Sequence, residues 1–112
     1  MVINEDQAEA IVKAIVLNAV DDYTKSAMKV RHRFNPPFRG ENLQRRALGC
    51  VRQALIDGQA AERFILSPDF TALTGLDGEM VVEWLAKQNF VQPGYFKTMQ
   101  QKFDSIYGRG SA

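Results

Sequence analysis

Apolar residues recur at three- and four-residue steps through the first part of the chain: Ala8, Ile11, Val12, Ile15, Val16, Ala19, Val20, Tyr23, Ala27, Val30 and Phe34. That period marks one face of an α-helix. Asn4 stands where a cap belongs, and with Gln7 it makes a variant of the capping box. Glu5, Asp6 and Glu9 put negative charge at the positive end of the helix dipole, and Lys29, Arg31 and Arg33 put positive charge at the other. The spacing predicts a helix from Glu5 to Arg33. At 1.5 Å per residue it would measure about 40 Å, longer than a domain of this size covers. One end is therefore expected to project or to pair with a second copy.

Asn35, Pro36, Pro37, Phe38, Arg39 and Gly40 interrupt the pattern, because two adjacent prolines remove amide donors and push the preceding residue out of helical space. A second helix is expected from Glu41 to Asp57, with Leu43, Ala47, Cys50, Val51 and Ala54 inward and Gly58 as its left-handed stop. A short piece, Gln59 to Leu66, then brings Ala61, Phe64 and Ile65 to the core. Ser67 and Pro68 restart the chain as cap and first helical residue, Phe70 and Leu73 bury one face, and Gly75 ends the turn. Asp77 caps a helix through Gln88 whose apolar side is Met80, Val81, Trp84 and Leu85. After Pro93 and Gly94 a final amphipathic helix carries Phe96, Met99, Phe103, Ile106 and Tyr107. The expected fold is all-α: one compact multi-helix domain over 1–112, with a long N-terminal helix, a helix-turn-helix-like segment, and frayed ends at 1–4 and 108–112. Its expected core includes Phe64, Phe70, Leu73, Val81, Trp84 and Leu85.

The stretch Ala61 to Leu85, with its Phe-bearing helix, Ser-led turn and Leu-Thr-Gly-Leu-Asp-Gly-Glu joint, resembles small helical proteins encoded by phages and prophages. Asp21 to Lys25 adds weaker support. That family has no established activity, so the resemblance implies a setting and no chemistry. The basic Pro-Pro elbow and the aromatic C-terminal helix lie outside the likeness.

Composition narrows the chemistry. The 112 residues carry 14 Lys and Arg against 13 Asp and Glu, a balance that neither favours nor opposes a polyanionic partner. The distribution is uneven. Between Lys25 and Arg52 the bases are Lys25, Lys29, Arg31, Arg33, Arg39, Arg45, Arg46 and Arg52, against Glu41 alone. From Gln53 to Gly94 the acids Asp57, Glu62, Asp69, Asp77, Glu79 and Glu83 outnumber Arg63 and Lys87. The single cysteine, Cys50, sits in an apolar pattern and reads as a buried, inert thiol in a reducing compartment. The first residues lack the basic start and apolar run of a secretory signal, and no stretch approaches the roughly 20 apolar residues that cross a bilayer. The expected location is the cytoplasm, with no membrane association.

Enzyme chemistry finds no support in the residue types. His32 lies in a basic run and reads as a solvated residue near a helix end, and Ser67 has a capping role. No phosphate-binding glycine loop is present, and Glu79 with Glu83 lacks the histidines of a helical metal site. No cofactor, no metal and no catalytic residue is expected.

What remains is binding, of nucleic acid or of a host or phage protein. Arg31, Arg33, Arg39, Arg45 and Arg46 would converge if the first two helices form a hairpin, with Phe34 and Phe38 available to stack on bases. Alternatively the acidic second half pairs with those arginines and the phenylalanines seal the hairpin. In the second class of reading, the stripe Phe96, Met99, Phe103 and Tyr107 contacts a protein partner, and a homodimer forms through it or through the first helix. A third reading makes Thr71 to Leu85 a DNA-binding helix-turn-helix, although Gly78, Glu79, Val82 and Glu83 would then present two carboxylates to the phosphates.

Overall fold

The computed structural model describes residues 4–34 and 45–107, with the side chains of 45–47 excepted. It contains five helices: α1 (Glu5–Arg33), α2 (Arg45–Leu66), α3 (Pro68–Thr74), α4 (Gly78–Gln88) and α5 (Tyr95–Tyr107). The described residues contain no strand. The Pro36-Pro37 elbow, with Phe38 and Arg39, lies outside them.

Helix α1 has the bounds its sequence predicts. The Gln7 amide donates to Asn4 Oδ1 at 2.8 Å and the Asn4 amide donates to Gln7 Oε1 at 3.1 Å, closing the capping box. Its 29 residues span about 43 Å, whereas the molecule measures 56 × 26 × 22 Å. Ala19, Tyr23, Ala27 and Val30 are buried, while every residue from Glu5 to Ile11 is exposed. The N-terminal end therefore stands clear of the body.

Helix α2 corrects the expected break at Gly58. It runs unbroken for 22 residues, and Gly58 is a buried position inside it. The ring of Phe96 lies where a Cβ at Gly58 would be. This glycine provides close approach between α2 and α5, and no left-handed turn is needed. Gln59 Nε2 donating to Gln100 Oε1 at 3.2 Å and Arg52 over the Phe103 ring at 5.4 Å fix the direction of α5, which runs antiparallel to α2. Edge-to-face pairs Tyr23 with Phe96, 5.0 Å between centroids, and Phe34 with Phe103, 5.5 Å, set α5 parallel to α1. It follows that α1 and α2 form an antiparallel hairpin with α5 along it. The stripe Phe96, Met99, Phe103 is buried there, with Tyr107 packed against the same core. It is not a free partner surface, which corrects that expectation.

The joints at α3 and α4 follow the sequence reading. Ser67 Oγ accepts from the Phe70 amide, Pro68 opens α3, and Gly75 closes it in the left-handed region at φ 75°. Asp77 Oδ1 accepts from the Glu79 amide at 3.0 Å.

The buried face of α4 differs from the expected one. Gly78, Val82, Leu85 and Ala86 point inward, while Met80 is 67% and Trp84 53% exposed. A Cβ at Gly78 would collide with the Ile65 carbonyl. The start of α4 is thus seated on the end of α2, and residues four, seven and eight positions on from Gly78 inherit the inward side. Because Gly78 and Val82 are covered, the groove-facing set of a helix-turn-helix is not formed. Phe64 and Leu73, also expected in the core, are exposed, while Phe70 is buried.

Candidate binding surfaces

The last turn of α1 carries Arg31, His32 and Arg33, all exposed. Two residues apart, Arg31 and Arg33 leave the helix about 200° from one another, so they flank its end and do not converge. Arg39 lies outside the described residues. Arg45 and Arg46 open α2 by their backbone, and their side chains also lie outside. Phe34 is fully buried on Phe103 and Tyr107, so it seals the hairpin and offers no face to a base.

Among the described residues the ion pair is Lys25 with Asp21, 2.8 Å apart on one helix. Pairing of Arg31 or Arg33 with Glu62, Asp69 or Glu83 is not formed. Arg31 instead reaches the end of α4. Its Nη1 donates to the Asn89 carbonyl at 2.9 Å, and its guanidinium lies 5.7 Å from the Phe90 ring centroid.

Phe90 itself has φ 59°, the one described residue other than glycine with positive φ. Its amide donates to the Lys87 carbonyl at 3.2 Å and the Val91 amide to the Ala86 carbonyl at 2.9 Å. These two bonds form a Schellman motif with Phe90 at the left-handed position that glycine usually fills. Asn89 Nδ2 closes the cap on the Leu85 carbonyl at 2.9 Å. The Phe90 ring is 84% exposed. The sequence reading passed over this residue. The available signal was a helix end at Gln88 followed by Asn-Phe, with no glycine to take the turn.

The projecting end of α1 makes a second surface. Ala8, Glu9, Val12, Lys13, Val16 and Leu17 form a strip along it. On the other flank of α1 a groove against α2 is lined by Ile15, Asp22, Ser26, Lys29, Asp57 and Phe64.

Inside the hairpin, burial pushes the Tyr23 hydroxyl up to about 12, helped by the nearby Glu62 carboxylate. Burial also raises Glu62, against the hydrogen bond from the Gly94 backbone, and raises Tyr95, against the positive charge of Arg31. The hydroxyls of Tyr23 and Tyr95 are buried without a hydrogen-bond partner. Both rings belong to the packing of α1 and α2 against α5. Cys50 is half-buried, less enclosed than its apolar neighbours suggested. Glu79 and Glu83 are exposed, and the described residues hold no cluster of three or more metal-ligating side chains. No described helix is long and apolar enough to cross a membrane.

Comparison with protein-family models, with curated proteins and with solved structures finds no match for the chain.

Proposed function

We propose that this chain acts by binding, as a helical accessory protein of the phage type without catalysis of its own, and that the exposed N-terminal half of α1 docks against a helix of a protein partner. Continuity of the apolar stripe carries this reading. Ala8 and Val12 stand on the same face as Ala19, Tyr23 and Ala27, which are buried, yet Ala8 is exposed and Val12 only partly covered. Ile11 adds exposed apolar surface beside Ala8, and Leu17 adds more on the far side of Glu9 and Lys13. Helical segments shorter than about 12–15 residues are marginal in water when nothing packs on them, so a partner helix would stabilise this half.

A second copy is the occupant that the charges favour. Glu9 and Lys13 lie one turn apart beside the Ala8, Val12 and Val16 face but form no ion pair with each other. In an antiparallel two-fold pairing centred at the level of Ile11, Glu9 of each copy faces Lys13 of the other, since both are equally distant from the axis. Sedimentation equilibrium tests the reading. A concentration-dependent dimer is expected, lost in Ala8→Glu/Val12→Glu with an unchanged circular dichroism spectrum. Lys13→Glu should weaken it, and Glu9→Lys in the same chain should restore it. A protein that stays monomeric at high micromolar concentration would refute pairing through α1.

A further inference from the structure

We infer that Phe90 and Arg31 form a stacking platform for an unpaired base of single-stranded nucleic acid. The site is separate from the α1 strip and does not rest on the association proposed above. Its first support is conformational. A bulky residue in the left-handed region is a strained outlier, and glycine would complete the same Schellman cap without strain. With its ring 84% exposed and in contact with the Arg31 guanidinium, Phe90 buries little apolar surface to offset this conformation. The hydrogen bonds of Phe90, Val91 and the Asn89 side chain to α4 carbonyls, with Arg31 on the Asn89 carbonyl, hold the strained turn in place. The cap therefore aims an aromatic ring at solvent and keeps it there.

The second support is the chemistry around the ring. The Arg31 guanidinium stands over the ring, and the high exposure leaves aromatic surface for another flat π-system. Arg31 has five N–H donors and uses one on Asn89, so others remain for a phosphate. Lys87, in the last turn of α4 and accepting from the Phe90 amide through its carbonyl, adds a further cation, whereas Arg33 leaves α1 on the opposite flank. Glu83 and Glu79, one and two turns before Lys87, are the acids on that exposed side of α4. An exposed ring with neighbouring cations fits the alternation of base and phosphate in a single strand. An apolar peptide anchor would call for a pocket, and Phe90 protrudes.

Fluorescence anisotropy with labelled oligothymidine at low salt tests the platform, with a duplex of equal length alongside. Wild-type protein should bind the single strand more tightly than the duplex, and affinity should fall steeply with salt. Phe90→Gly should weaken single-strand binding by about tenfold or more while melting at the same or a higher temperature, because glycine suits the cap. Phe90→Trp should retain binding, and Arg31→Gln should weaken it and flatten the salt slope. The inference is overturned if wild-type protein binds no oligonucleotide at low salt, if Phe90→Gly binds as wild type does, or if the duplex depends on Phe90 equally. A lower melting temperature for Phe90→Gly would also overturn it, since the ring would then serve the fold.

Discussion

Gly49 and Gly58 occupy the same helix, and replacing each by alanine should change stability in opposite directions. In a helix interior, alanine is favoured over glycine by about 0.8–1.0 kcal/mol. At Gly49 a new Cβ meets no atom within 4 Å, so Gly49→Ala should realise most of that gain. At Gly58 the Cβ runs into the Phe96 ring. That ring is fully buried and packed edge-on against Tyr23 and Tyr95, so it has little room to retreat. Overpacking of this kind costs about 1–3 kcal/mol. Set against the propensity gain, Gly58→Ala should be destabilising by about 0–2 kcal/mol. Urea unfolding followed by circular dichroism measures both, and a double-mutant cycle with Phe96→Leu isolates the contact. In the Phe96→Leu background the cost of Gly58→Ala should fall by about 1 kcal/mol or more, because the smaller side chain vacates the space. An identical cost in both backgrounds would refute the close approach of Gly58 and Phe96.

Trp84→Ala should shift stability by about 0.5 kcal/mol or less, as an exposed position does, whereas Phe103→Ala should cost about 3–5 kcal/mol, and thermal melts compare the two. Unfolding measured between pH 9 and pH 12 should show stability falling: Tyr23 titrates at 10.0 when unfolded and at about 12 when folded, so the unfolded chain releases its proton first and gains as pH rises. The loss should reach about 1–3 kcal/mol and be smaller in Tyr23→Phe, where the raised Tyr95 still contributes. Asn4→Ala should cost about 1 kcal/mol locally, and hydrogen exchange should show faster opening in the first turns of α1 with the core unaffected.

The sequence exposed most of the architecture because the caps of α1, α3 and α4 are local devices: Asn4 with Gln7, Ser67 with Pro68, Asp77 and Gly75 act within a few residues of themselves. The misreadings arose where the deciding contact is distant. Nothing near Gly58 distinguishes a helix stop from a seat for an aromatic ring, since the ring belongs to Phe96. In α4, Met80, Val81, Val82, Trp84, Leu85 and Ala86 are apolar around most of the helix, so periodicity alone allows more than one inward face. Seating Gly78 on the Ile65 carbonyl selects among them. Of the candidate sites, the basic end of α1 was visible in composition, but the diversion of Arg31 to Asn89 and Phe90 depends on where α4 ends in space. The α5 stripe is legible as apolar in the sequence but its burial is not, because amphipathicity does not say whether the cover comes from the same chain.

The placement of α5 alongside the α1–α2 hairpin also governs the order in which the fold can be completed. Tyr23 and Phe34 find their ring partners in Phe96, Phe103 and Tyr107, which lie some seventy residues further along the chain. During synthesis, α1 to α4 would emerge before Phe96, Phe103 and Tyr107 could reach those two rings, and contacts of such long sequence separation form slowly. A chain interrupted before α5 should therefore expose an aromatic cleft and be prone to aggregation or proteolysis. Docking of α5 joins residues some seventy positions apart, so the packing of α1 is complete only once α5 is in place.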